Sequence, residues 1–323
     1  MITRRRFVEL AAASAALVRP PSIWAQSYPA QQIRLLVGFA AGGNFDIVAR
    51  IVGQWLSERL RQPVLVENRP GASSNIATEA VVNAAPDGYT LLLAGAVNAI
   101  NTTLYESLPF VFTQDLTAVA GVVRFPNVMT VSPSFPADNL ADFIAYARAH
   151  PGKLNQGSSG NGTTQHLAGE LFKMMTGTDF AHIPYKGASQ AITDLLAGQV
   201  QVLFEPLPAS MPFIKAGKLR ALAVTSASRA GTLPDVPTIG EHVPDYDASG
   251  WTGVCAPGRT PPAVIGTLNA AINAGLTDAG IVKRFSELGA STMPGSPEEF
   301  AQLVAAETQK WARVVRRGKI KPA

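Results

Sequence analysis

Two stretches of this 323-residue sequence combine glycine with small polar side chains in a way that suits anion binding without a cation. The first is Ala41-Gly42-Gly43-Asn44-Phe45-Asp46 and the second Gly157-Ser158-Ser159-Gly160-Asn161-Gly162-Thr163-Thr164. Each follows a strand-like run and precedes a helical pattern. Glycine lets the backbone turn sharply and approach a ligand. The free N–H groups at a helix start, with the positive end of its dipole, attract negative charge. The candidates from these loops are Gly43, Asn44, Ser158, Ser159, Asn161, Gly162, Thr163 and Thr164. Either loop alone reads equally well as a turn with helix capping, but two of the same construction favour a ligand held between them. Asp46 falls in a first helical turn, where capping explains a carboxylate better than contact with an anion.

Other chemistries fit less well. Gly157 and Gly162 have the spacing of a phosphate-binding loop, but Thr163 stands where its lysine is needed. Gly157-Ser158-Ser159-Gly160-Asn161 approaches the hydrolase elbow G-x-S-x-G, with Asn161 in place of the last glycine. A hydrolase using Ser158 or Ser159 is therefore kept as an alternative. The four histidines, 150, 166, 182 and 242, form no H-x-x-x-H pair, so no metal and no cofactor is expected. Cys255, the only cysteine, has apolar neighbours and reads as a buried, inert thiol. Tyr185-Lys186-Gly187 follows a strand and reads as a surface turn or as a phenol and an ammonium at a cleft. Glu205 ends a strand, placed to accept hydrogen bonds from a ligand or to pair with a cation.

These residues need elements to hold them. Strand-like runs at Ile33–Phe39, Val64–Val66 and Tyr89–Leu93 alternate with helical patterns, and the same alternation restarts after Pro126. It continues through helices at Leu140–Ala149, Gln165–Thr176 and Ala188–Leu196, with strands near 154, at 181–185, 200–204 and 219–225. A strand at Gly253–Ala256 precedes helices at about 262–276, 279–288 and 297–317. Such alternation predicts an α/β fold with mainly parallel sheets. The reading is of two lobes, residues 26–125 with 250–323 and residues 126–249, with the C-terminal helices on the first; one continuous doubly wound domain is the alternative.

The N-terminus has its own logic. Arg4, Arg5 and Arg6 precede an apolar run from Leu10 to Val18, then Pro20-Pro21 and a small residue at Ala25, the order of a secretory signal peptide. Thr3-Arg4-Arg5-Arg6-Phe7-Val8 has the form of a twin-arginine export signal, with an ordinary arginine-rich Sec signal as the alternative. The run is too short to span a membrane, which takes about 20 residues. Four arginines and one glutamate lie in residues 1–25, so the chain's +4 less this +3 leaves about +1 on the mature protein. That balance, without a basic run interleaved with aromatics, argues against nucleic acid.

Together the motifs resemble the Bug/TctC family. They are Gly42-Gly43-Asn44-Phe45-Asp46, Val66-Glu67-Asn68-Arg69-Pro70-Gly71-Ala72, Ala85-Pro86-Asp87-Gly88-Tyr89-Thr90-Leu91, and Gly160-Asn161-Gly162-Thr163 with His166-Leu167-Ala168-Gly169-Glu170-Leu171-Phe172. His182-Ile183-Pro184-Tyr185-Lys186-Gly187, the run Ile214 to Thr225, and Leu233-Pro234-Asp235-Val236-Pro237-Thr238 follow in family order. The resemblance implies a two-lobed, type II periplasmic-binding-protein fold. It also implies a monomeric periplasmic receptor that carries a mono-, di- or tricarboxylate to the large and small membrane subunits of a tripartite tricarboxylate transporter. A receptor that presents its ligand to a signalling protein is the alternative. Asn98, Tyr185 and Glu205 join the expected binding residues through the resemblance. Three departures stand out: Gly38, Ala40 and Ala41 where the family is proline-rich, Ser73-Ser74 where it often has Gly-Gly, and Glu205 where it commonly has Asp.

Overall fold

The computed structural model describes residues 28–185 and 187–322; the segment expected to be a signal peptide lies outside them. One sheet has six strands: β1 (Ile33–Val37), β2 (Val64–Asn68), β3 (Thr90–Gly95), β4 (Leu116–Phe125), β10 (Gly250–Pro257) and β11 (Ser291–Thr292), in the order β11-β4-β10-β3-β1-β2. The other has five: β5 (Asn127–Val131), β6 (Asn155–Ser158), β7 (Ala181–Pro184), β8 (Val202–Pro206) and β9 (Arg220–Val224), in the order β7-β6-β8-β5-β9.

The sheets are mixed, not mainly parallel. β1 pairs parallel with β2 and β3, and β6 parallel with β7 and β8, as crossover helices require. β10 instead runs antiparallel between β3 and β4, and β5 antiparallel between β8 and β9. The physical reason is that β5 and β10 each receive the chain from the other sheet and so do not start at the end that a βα unit uses. Both are buried along their whole length, as interior strands covered on two faces must be.

The helices are α1 (Asn44–Leu60), α2 (Asn75–Val82), α3 (Ala96–Leu104), α4 (Phe112–Asp115), α5 (Leu140–Ala149), α6 (Thr164–Thr176), α7 (Ala188–Leu196), α8 (Leu207–Lys215), α9 (Pro262–Leu276), α10 (Ala279–Glu287) and α11 (Pro297–Arg317). In α1, Val48, Ile51, Val52 and Leu56 recur on one face and are buried against the first sheet. The helix stops where Arg61 turns left-handed, with φ 55°.

Two chain crossings join the sheets and are stitched to each other. Asn127 N–H donates to the Thr225 hydroxyl at 2.9 Å, and Ala248 N–H to the Thr225 carbonyl at 2.9 Å. Arg124 and Asp247 pair at 3.0 Å beside them. α11 braces this region and packs on α6 as well as on α3 and β4, so the last helix is not confined to the first lobe. Its buried Glu307 accepts the indole N–H of Trp251 at 3.3 Å and of Trp311 at 2.8 Å. Lys310 on the same helix donates to the Asp247 carbonyl at 2.9 Å. One apolar cluster runs through both lobes here, from Leu36 and Ile100 through Trp251 and Phe300 to Phe172 and Tyr246.

Candidate functional site: a cavity between two lobes

The first glycine loop is fixed by its own carboxylate. Asp46 is buried and accepts Gly42 N–H at 2.9 Å and Arg50 Nε at 2.9 Å. Those bonds, Arg50's first, hold the carboxyl down to about 2 despite burial. Gly43 supplies the N-cap with no side-chain bond, leaving the first N–H groups of α1 to whatever faces them. Asp46 thus aims the loop and stays out of the cavity.

The second loop is pinned from behind. Thr163 caps α6, accepting His166 N–H at 3.3 Å while donating to the Gly160 carbonyl at 2.8 Å. Its hydroxyl is therefore occupied, and the N–H groups of Thr164 and Gln165 are those with no intrahelical acceptor. Gly162 donates its N–H to His166 Nδ1 at 3.2 Å, which places the remaining imidazole proton on Nε2, 3.6 Å from Glu170. His166 stacks on His182 with ring centroids 3.5 Å apart. Burial, then the neighbouring His166, push His182 down to about 3. His182 Nε2 lies 2.6 Å from Ser158 Oγ.

That serine–histidine pair is not a hydrolase nucleophile and base. Ser158 is buried, accepts Gly160 N–H at 3.1 Å, donates to the Gly160 carbonyl at 3.1 Å, and lies outside the cavity lining. It closes the turn. Among the described residues, no group of three or more His, Cys, Asp or Glu side chains is placed to hold a metal ion. Burial pushes the Cys255 thiol up to about 12, so it is not a thiolate.

Between the loops lies a cavity of about 320 Å3. Asn44 and Phe45 enter from the start of α1, Ala96 and Val97 from the start of α3, and Thr164 and Gln165 from the start of α6. Phe39, Ser73, Ser159, Asn161, Gly162, Thr163 and Pro206 complete the walls, and Phe125 and Trp251 close the end beside the chain crossings. None of these lining residues is ionisable. Three helix N-termini therefore face an uncharged chamber, two from one lobe and one from the other. Their partial positive charges favour an anion there.

Of the residues expected from sequence, Asn44, Ser159, Asn161, Gly162, Thr163 and Thr164 line this cavity together. Gly43 adjoins it as the cap of α1. Asn98 stands behind the wall: its side chain accepts Gly95 N–H at 2.9 Å and donates to the Thr78 hydroxyl at 2.9 Å, so it shapes the start of α3. Tyr185 donates its phenol to Asp194 at 2.7 Å and packs in a satellite apolar cluster. Glu205 is fully buried, and both carboxylate oxygens accept from the Ser159 hydroxyl, at 3.2 and 3.1 Å. Burial pushes its pKa up to about 7.

Sequence reasoning missed the aromatic walls. Phe45 adjoins a loop residue that was singled out, and Phe125 and Trp251 sit at the two crossings, so chain organisation was the signal available for them. Ser73 lies in a run of three left-handed residues, Ala72, Ser73 and Ser74, with φ of 44°, 52° and 76°. None of them is glycine, so the turn carries strain.

Two α/β lobes joined by paired crossings, with helix starts from both lining one cavity between them, define a two-lobed solute-binding protein. The chain belongs to the TctC family, "Tripartite tricarboxylate transporter family receptor", whose model matches residues 48–320. It is 39% identical over 307 residues to Protein BugT of Bordetella pertussis, covering 94% of each chain. Among solved structures it is similar to "R. palustris Rpa4515 with adipate", at 38% identity and TM-score 0.79, covering 92% of this chain and 100% of that one. It is also similar to MatC of Rhodopseudomonas palustris with bound malate, at 31% identity and TM-score 0.74, covering 89% and 100%. The relatives are solute receptors rather than enzymes.

Proposed function

We propose that this protein captures a small carboxylate between its lobes and delivers it to the membrane subunits of a tripartite tricarboxylate transporter. The observation that carries this is the convergence of the α1, α3 and α6 starts on a cavity whose described lining has no charge of its own. Backbone N–H groups and helix dipoles there take the place of a cation. The apolar rings of Phe45, Phe125 and Trp251 would hold the ligand's carbon body. Adipate and malate in the two similar structures support a carboxylate ligand for this chain.

The binding set is Asn44, Ser159, Asn161, Gly162 and Thr164, with Gly43 and Thr163 shaping the loop backbones and Asn98, Tyr185 and Glu205 acting from behind. Residues 26–125 with 250–323, and 126–249, are the moving lobes. Their closure around the ligand supplies the signal for docking. The arginine-rich N-terminus supports export to the periplasm by the twin-arginine route with removal of residues 1–25, and the mature protein acts as a monomer.

A thermal-shift screen of aliphatic and aromatic carboxylates tests the proposal. Saturable stabilisation with the compound recovered unchanged is the expected result. Turnover of an ester or amide, or indifference to every carboxylate, would overturn it.

A further inference from the structure

Behind the cavity wall, one acid has no described partner but a hydroxyl. Glu205 is fully buried on β8, and the hydroxyl of Ser159, a cavity-lining residue, is its hydrogen-bond donor. The elements packed on β8 bring other ionisable groups, and each is engaged elsewhere or remote. On α6, His166 takes Gly162 N–H, and Glu170 pairs with Lys173 at 2.6 Å. His182, on β7, meets Ser158, and Asp194, on α7, takes the Tyr185 phenol. Lys215 is at the exposed far end of α8. Among the described residues none forms an ion pair with Glu205, and burial is the chief influence on its charge.

The single proton of Ser159 makes this arrangement consequential. While Glu205 is ionised, that proton points at the carboxylate, and Ser159 turns only lone pairs toward the cavity. An incoming carboxylate then meets an acceptor with a negative charge behind it. When Glu205 holds a proton it donates to Ser159 Oγ, and the serine proton is released to point at the ligand. We propose that Glu205, acting through Ser159, couples carboxylate binding to the uptake of one proton from solvent. The ligand enters as an anion, Glu205 passes from carboxylate to carboxylic acid, and the proton taken up offsets one negative charge of the ligand. Glu205 is thus a positioning residue that sets whether the second loop offers a donor or an acceptor. The inference rests on the carboxylate reading of the cavity.

Calorimetric titration of the mature protein tests it, with acetate, benzoate, phenylacetate, adipate, malate and citrate as probes. Each is run at pH 6, 7 and 8 in two buffers of different ionisation enthalpy. For the tightest probe, the buffer dependence of the heat should report about one proton taken up at pH 8 and less at pH 6. The affinity should fall about fivefold between pH 7 and 8, as one-proton linkage to a group titrating near 7 requires. Glu205→Gln, whose amide donates to Ser159 at every pH, should bind without proton uptake and with an affinity flat across the range. Binding by the wild type with no proton uptake, or uptake that persists in Glu205→Gln, would overturn the proposal while leaving the carboxylate reading intact. Failure of all six probes at every pH would remove that reading and the proposal with it.

Discussion

Gly162 offers a test of lobe closure at one atom. It lines the cavity from the second loop in a left-handed conformation, φ +72°, and a Cβ built there would meet Leu104 Cδ2 at 2.4 Å. Leu104 ends α3, on the opposite lobe. Gly162→Ala therefore has two separable costs. Left-handed backbone with a Cβ costs about 1–2 kcal/mol, whether the lobes are apart or together. Overpacking against Leu104 costs about 1–3 kcal/mol, and only when the lobes meet. The first lowers thermal stability and leaves affinity alone. The second weakens ligand binding by roughly 5- to 150-fold, at a factor of ten for each 1.4 kcal/mol. Calorimetry on Gly162→Ala, Leu104→Ala and the double variant separates them as a double-mutant cycle. The expected result is that Leu104→Ala restores most of the affinity lost in Gly162→Ala but none of the lost stability. An affinity loss that the second substitution does not relieve would refute contact across the cleft as its origin.

Other substitutions probe the supports of the site. Thr163→Val removes the α6 cap and should cost about 1 kcal/mol in denaturant unfolding, while Thr163→Ser should retain both stability and binding. Glu307→Ala leaves two buried indole N–H groups without an acceptor and should cost about 2–5 kcal/mol, read as a lower Tm without loss of the carboxylate site. Two pH effects oppose one another. Glu205 has a pKa raised from 4.5 to about 7, so the fold binds the extra proton between those values. Its contribution is complete below 4.5 and is lost as pH rises to 7, roughly 3 kcal/mol in all. His182 is depressed from 6.5 to about 3, so its contribution is present above 6.5 and is lost as pH falls toward 3. Denaturant unfolding across pH 4–8 should therefore show Glu205→Gln gaining most over the wild type above pH 7 and His182→Gln gaining most near pH 4.

What the sequence disclosed follows from how local each signal is. α5, α6 and α11 are readable because apolar periodicity coincides with capping side chains at Asn139, Thr163 and Ser296. β4 escapes because Leu116–Phe125 mixes Thr, Ala and Gly with valines and is covered on both faces, so it shows no alternation. α8 escapes because Pro208 and Pro212 argue against a helix that tertiary packing nonetheless supports. The antiparallel course of β5 and β10 depends on where the chain changes lobes, which no local pattern encodes. The glycine loops were visible as loops. That Asn98 faces Thr78 and that Glu205 lies beneath Ser159 are relations between residues distant in sequence. The aromatic walls at Phe45, Phe125 and Trp251 were hidden for the same reason, since nothing about a single phenylalanine distinguishes a cavity from a core.

The central claim is that helix starts, rather than a charged side chain, hold a carboxylate between the lobes. It is tested most directly by comparing, by calorimetry at pH 6, the affinity of the best carboxylic acid from the screen with that of its primary amide. The amide keeps shape and size and removes the negative charge. The account predicts one binding site per protein and an affinity for the amide lower by about a hundredfold or more, the loss of a charge-assisted hydrogen-bond set worth roughly 3 kcal/mol. An amide that binds as tightly as the acid would contradict it.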